Sequence, residues 1–201
     1  MKSKLALFAD VHSNLEAVNA CLEHARGLGA ERFAFLGDLI GYGADPVAVL
    51  DLIEQYTANG AIVVLGNHDA AAIGRSTDFL NSSAQAAIDW TQTQLGEKQR
   101  GFLASLPLTV REDDILFVHA SAVAPEQWIY VTGPKQAEES IIAAEANYVF
   151  LRTRARAAPL LRWRERAPHA VQTDGRHPHP YGQASSVAGD RWLRRPAARR
   201  E

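Results

Sequence analysis

Six polar side chains stand where short apolar runs end: Asp10 and His12, Asp38, Asn67 and His68, and His119. Carboxylate, imidazole and amide oxygen are donors for a borderline or hard divalent cation such as Mn, Fe, Zn, Co or Ni. Asp10 and His12 are two apart, so on an extended chain both point the same way. Six such groups exceed what one metal needs. Two metals sharing a bridging carboxylate would use them.

Taken singly, each residue has an ordinary structural explanation. An Asp after a strand is usually a helix cap or turn residue. A His after Leu116-Phe117-Val118 is more often a satisfied core histidine than a ligand, and Asn67 could supply a left-handed turn. Taken together, with Gly37 and Gly66 allowing close backbone approach beside Asp38 and Asn67, those explanations fail. His24 stays an ordinary helix side chain.

The elements that must position these groups are legible. Leu5–Ala9 reads as a buried strand ending in the loop of Asp10 to Asn14. Ser13 or Asn14 caps a helix carrying Leu15, Val18, Leu22 and Ala25, which Gly27 and Gly29 stop. Cys21 would be a small core residue of this helix. Arg32–Leu36 is a second strand, Pro46 opens a second helix around Val49, Leu50, Leu52 and Ile53, and Ala61–Leu65 is a third strand. Ser82–Ser105 reads as one or two helices. Leu108–Arg111 and Ile115–His119 form a hairpin across Asp113-Asp114, Pro134–Ala146 is a helix, and Tyr148-Val149-Phe150 begins a strand. The alternation argues an α/β layered fold, in which ligands bind at strand ends.

Asp10-x-His12, Gly37-Asp38-Leu39-Ile40-Gly41-Tyr42-Gly43, Gly66-Asn67-His68-Asp69 and Val118-His119-Ala120 occur in this order over about residues 4–150. In this the chain resembles the calcineurin-like metallophosphoesterase superfamily, and its Gly-Tyr-Gly resembles the small prokaryotic, YfcE-like branch. The resemblance implies a four-layer sandwich of two mixed β-sheets flanked by helices. It implies that Asp10 and His12 bind a first metal, that Asp38 bridges, and that Asn67 and His119 bind a second. His68, with Asn67, would face the phosphate, as electrophile or proton donor to the leaving oxygen. Asp69 would orient His68. A hydroxide bridging the metals, Mn above all, would attack a phosphate mono- or diester. The physics agrees, because paired metals activate water and clamp phosphoryl oxygens, and a histidine titrating near neutrality can protonate a leaving group. The partner implied is a small phosphoester or nucleotide. The superfamily includes phosphodiesterases, protein phosphatases and dinucleoside polyphosphate hydrolases. Residues 70–106 and 128–130 would shape the pocket.

The pattern breaks after residue 150. The family's last motif, Gly-His-x-His, would give one His to each metal, and here Leu151-Arg152-Thr153-Arg154-Ala155-Arg156 stands instead. Residues 1–150 hold 9 basic and 19 acidic side chains, whereas 151–201 hold 12 Arg, no Lys, 4 acids and five of the nine prolines. The expected division is therefore a metallophosphoesterase domain over 1–150 lacking its last motif and an Arg/Pro/Ala-rich, poorly packed tail over 151–201. A basic tail could bind nucleic acid, but the net charge of −10 before it argues against a broad nucleic-acid surface. The other reading is a frameshift. Codons CTG CGG ACA CGC GCA CGT for residues 151–156, read one base later, give Cys-Gly-His-Ala-His. Residues 192–201 shift as readily into Gly-Ser-Val-Gly-Gln-Pro-Arg-Asp-Gly. His177-Pro178-His179 mimics the missing pair but sits some 25 residues late, with no apolar strand leading in. The expected enzyme is impaired in this form, and a non-catalytic phosphate- or nucleotide-binding module is the alternative.

At 201 residues, with 47% hydrophobic and 22% charged side chains, the chain is neither disordered by composition nor a membrane protein. A single cysteine excludes an internal disulfide framework and fits a reducing compartment. The run Leu5–Ala9 is too short for a signal-peptide core, and no stretch approaches the ~20 apolar residues of a membrane span. The expected location is the cytoplasm.

Overall fold

The computed structural model describes residues 3–75, 80–153 and, for the backbone, 156–161. Trp163, the His177-Pro178-His179 group and Trp192 lie outside the described residues.

Two sheets form the middle of the fold. Strands β1 (Lys4–Phe8), β2 (Ala30–Phe35) and β3 (Ile62–Val63) pair in parallel in the order β1-β2-β3. In the second sheet β4 (Thr109–Glu112) and β5 (Ile115–Val118) form an antiparallel hairpin, β6 (Tyr148–Thr153) joins β5 in parallel, and β7 (Arg156–Leu161) closes antiparallel on β6. The expectation of two mixed sheets therefore holds for the second one; the described strands of the first are all parallel. Parallel pairs need long crossovers, and helices α1 (Leu15–Gly27), α2 (Pro46–Ala58) and α6 (Pro134–Ala144) supply them.

The apolar runs are continuous because both faces of these strands are buried. Successive side chains alternate between two cores. Phe33, Phe35, Val63 and Leu65 face the helices, with Val18, Leu22, Val49, Leu50 and Ile53. Ala34, Leu36, Ile62 and Val64 face the second sheet, meeting Phe117, Ile115 and Phe150. On that sheet Leu116, Val118, Val149 and Leu151 turn outward to Ile141 and Ala144 of α6. The order is thus helices, sheet, sheet, helix. Phe117 is fully buried at the centre and stacks on Phe150, with ring centroids 5.4 Å apart. Phe117→Ala is expected to destabilise the fold by ~3–5 kcal/mol, measured as a lowered urea midpoint.

Local signals explain the helix ends. Asn14 is the α1 cap, its Oδ1 accepting from the Ala17 N–H at 2.9 Å. Pro46 occupies the first turn of α2. Ser82–Ser105 forms two helices, α4 (Ser82–Gln94) and α5 (Glu97–Ser105), broken at Leu95-Gly96. A short helix, α3 (Asn67–Ala72), was not expected from the sequence. One expectation is corrected. Cys21 is exposed, because Val18 and Leu22 take the inner face of α1. The strand begun at Tyr148 continues to Thr153 as β6, paired with β5 on one side and β7 on the other. No helix among the described residues is long and apolar enough to cross a membrane.

Candidate metal centre

Polar groups from four strand ends converge above the C-terminal edges of the sheets. Beyond β1, Asp10, His12 and Ser13 have φ of 56°, 49° and 56°, and beyond β2, Asp38 has φ of 53°. Left-handed backbone at non-glycine residues stores of order 1–3 kcal/mol each and clusters at functional sites. A backbone ladder holds it there: Asp10 N–H donates to Gly37 O (3.2 Å), His12 N–H to Asp38 O (3.0 Å) and Ser13 N–H to Leu39 O (2.9 Å). Ser13, fully buried, accepts the Gly41 N–H on its Oγ at 3.2 Å.

The ligand atoms of Asp10, His12 and Asp38 lie within 4.8 Å of one another. His12 Nε2 is 3.8 Å from Asp10 Oδ1 and 4.0 Å from Asp38 Oδ2, while its Nδ1 is fixed by Ile40 O at 3.2 Å. On the other side of Asp38, His119 Nε2 is 3.4 Å from Asp38 Oδ2 and 3.0 Å from Asn67 Oδ1, and its Nδ1 rests on Leu36 O at 2.6 Å. Both imidazoles thus present Nε2 to the centre, with the other nitrogen anchored on a carbonyl, the usual support for a metal-ligating His. Asp38 is fully buried between them. Its Oδ1 accepts the His68 N–H at 2.9 Å, and its Oδ2 has no hydrogen-bond partner.

All six residues singled out in the sequence are therefore close together. His68 lies with Tyr42 and His12, ring centroids 4.8 and 4.9 Å away, and Tyr42 is half exposed. The Gly-Tyr-Gly has a steric reason: Gly41 has φ of +95°, and a Cβ there would come within 2.8 Å of His68 Nδ1. Gly66 is tighter still, since a Cβ would meet Asp38 N at 2.1 Å. Trp128 and Tyr130 lie where the sequence placed pocket residues, Trp128 edge-on to His119 at 6.0 Å and Tyr130 under Arg152.

Asp69 does not orient His68. It is fully buried and accepts the N–H groups of Leu39 and Ile40 on Oδ1 and of Gly66 on Oδ2, at 2.9–3.1 Å. It ties the Asp38 loop to the start of α3. Ser13 and Arg152 are further site residues the sequence reading missed. The signal for Arg152 was available, because it ends the apolar run Tyr148–Leu151 as Asp10 and Asp38 end theirs. Its Nε donates to Asp10 Oδ1 (2.8 Å) and Oδ2 (2.9 Å), its guanidinium lies 4.9 Å over the Tyr130 ring, and its N–H donates to His119 O at 3.0 Å.

The electrostatics follow from this crowding. Burial alone would raise the Asp38 carboxyl, but attraction to His119, His68 and His12 outweighs it and holds it far below the usual carboxylate range. Burial works to lower His119, and the Asp38 charge with the Leu36 carbonyl overcomes it, so His119 sits above the ordinary histidine value. His68 is lowered, by burial above all, against the opposing pull of the Asp38 charge. Burial, then the Asp38 charge, pushes Asp69 up to about 7 against its backbone N–H bonds.

The donors fit a divalent cation. A buried carboxylate oxygen without a hydrogen-bond donor, flanked by two Nε2 atoms, is costly unless a cation meets it. The chain belongs to the calcineurin-like phosphoesterase family, whose model matches residues 3–196. It is 38% identical over 136 residues to the uncharacterized protein MJ0912 of Methanocaldococcus jannaschii, covering 65% of this chain and 55% of that protein. A metallophosphoesterase structure from Sphaerobacter thermophilus superposes with a TM-score of 0.64 at 34% identity, covering 75% of this chain and 60% of that one. The hypothetical protein PH1004 from Pyrococcus horikoshii OT3 shares the fold, with a TM-score of 0.61 at 20% identity over 76% of this chain and 69% of its own. This chain thus spans little more than half the length of the first two relatives.

Proposed function

We propose that this chain hydrolyses a small phosphate mono- or diester, a nucleotide among the candidates, with two divalent cations, Mn the favoured pair. Asp10, His12 and Asp38 would hold one, and Asp38, Asn67 and His119 the other. The observation that carries this reading is Asp38 Oδ2, buried, without a hydrogen bond and flanked by His12 Nε2 and His119 Nε2. When bound, such cations lower the pKa of water and neutralise charge on phosphoryl oxygens.

The chain's own residues do the rest. His68 is kept below the ordinary histidine value, so at neutral pH it presents a neutral ring with one N–H. Its Nδ1 is buried with no acceptor, which puts that proton on Nε2. Nε2–H is then the donor to a phosphoryl or leaving oxygen. Tyr42, packed on His68 and His12, walls the entrance. In place of the family's Gly-His-x-His the strand end carries Arg152, so the chain as it stands is impaired, and we read the switch in composition as a shifted reading frame. An exposed, unpaired Cys21 supports a reducing, cytoplasmic setting.

The test strips the protein with EDTA, restores Mn²⁺ and offers p-nitrophenyl phosphate and its bis-ester. Hydrolysis is expected only with metal. A chain reading Cys-Gly-His-Ala-His over 151–155 is expected to turn over at least ~10–100-fold faster. Equal turnover by the two chains would overturn the impairment. If the restored chain binds inorganic phosphate yet hydrolyses neither ester, the site is a binding module.

A further inference from the structure

We propose that Arg152 is a built-in cation that competes with the metal on the Asp10 side, so that of the two positions only the one at Asp38, Asn67 and His119 is strong in this chain. The inference rests on the metal reading above. It concerns a different residue and a different outcome.

The geometry is specific. Arg152 Nε bonds both Asp10 oxygens, at 2.8 and 2.9 Å. The side chains of this pair are only 12% and 15% exposed, so water screens it poorly. Those same oxygens belong to the one group of carboxylates and imidazoles found close enough to hold an ion among the described residues. A metal recruiting Asp10 must displace Nε or accept a fixed positive charge beside it. The guanidinium is not free to swing aside, because its plane rests on Tyr130 and its backbone is locked to His119 O. It stays charged at any working pH. The other position meets Arg152 only through its charge and through the backbone bond to His119 O, not through a bond to a ligand atom. Asp38 Oδ2, Asn67 Oδ1 and His119 Nε2 meet without an arginine among them, and Asp38 Oδ2 is the atom left without a hydrogen bond. The pattern is asymmetric: one half of the centre is already neutralised from within, and the other half is open to a cation.

The experiment is a titration of the metal-free 201-residue chain with Mn²⁺ alone, read by calorimetry and by the Mn²⁺ electron paramagnetic resonance signal. The unaltered chain is compared with Arg152→Ala and with Arg152→Met, which keeps an apolar stem over Tyr130 and removes only the charge. The unaltered chain is expected to bind one Mn²⁺ tightly. Both variants should gain a second ion, or bind it ~10–100-fold more tightly, since a charged hydrogen bond no longer has to be broken. Equal stoichiometry and affinity in all three chains overturns the inference while leaving the metal centre intact. No Mn²⁺ bound by any of them overturns the metal centre and this inference with it. If neither variant folds, by circular dichroism, the unaltered chain decides: one tight ion supports the inference and two equally tight ions refute it.

Discussion

Asp38→Asn is expected to abolish strong Mn²⁺ binding, weakening it by more than the ~10–100-fold that loss of an outer-shell partner costs. The reason is position. Asp38 is the one carboxylate that reaches both halves of the centre, 4.0 Å from His12 Nε2 and 3.4 Å from His119 Nε2 through the same Oδ2. An amide there would carry either a neutral oxygen or an N–H₂ that points protons at the metal. Loss of Asn67 or His119 should weaken one position only. The fold is expected to survive Asp38→Asn, because the amide oxygen can still accept the His68 N–H that Asp38 Oδ1 accepts at 2.9 Å. Calorimetric titration with Mn²⁺, beside a thermal melt of the metal-free protein, separates the two effects. Unchanged Mn²⁺ affinity would remove Asp38 from the centre.

Asp69→Ala is expected to have a large effect on stability, a loss of ~3–5 kcal/mol in urea unfolding. It strands the buried N–H groups of Leu39, Ile40 and Gly66, and each orphaned donor costs ~1–3 kcal/mol; some relaxation and water entry keep the total below the sum. Asp69→Asn should cost less, ~1–3 kcal/mol, since the amide oxygen can keep two of the three donors and its N–H₂ opposes the third. Both substitutions should also loosen the Gly37–Gly41 loop and with it Asp38. A change below ~1 kcal/mol for Asp69→Ala would mean that the loop is held by other bonds. Any effect on the site comes through Asp38 and not through His68, because Asp69 is bonded to the backbone of Leu39, Ile40 and Gly66.

What could be read from residue types alone was considerable. Apolar runs such as Phe33–Leu36 and Ile62–Leu65 mark doubly buried strands, because a strand hidden on both faces needs no polar alternation. Asn14 and Pro46 mark helix ends through local backbone chemistry that needs no tertiary partner. The ligand candidates were legible because they interrupt those runs at the strand ends, where open sheets bind ligands. By itself the sequence determined the layers, the strand ends and the chemical types gathered there.

The tertiary structure decided the pairings among them, since those depend on distance across the fold and not along the chain. Asp69 is next to His68 in sequence, yet its carboxylate turns to backbone donors thirty residues away in Leu39 and Ile40. Cys21 fits a helix core by type, and only the rotation of α1 against the sheet leaves it outside. Arg152 belongs by composition to the basic stretch, and only the parallel pairing of β6 with β5 carries it 142 residues back to Asp10. A charge finds its partner through packing, so its role is written in the fold and not in its neighbours.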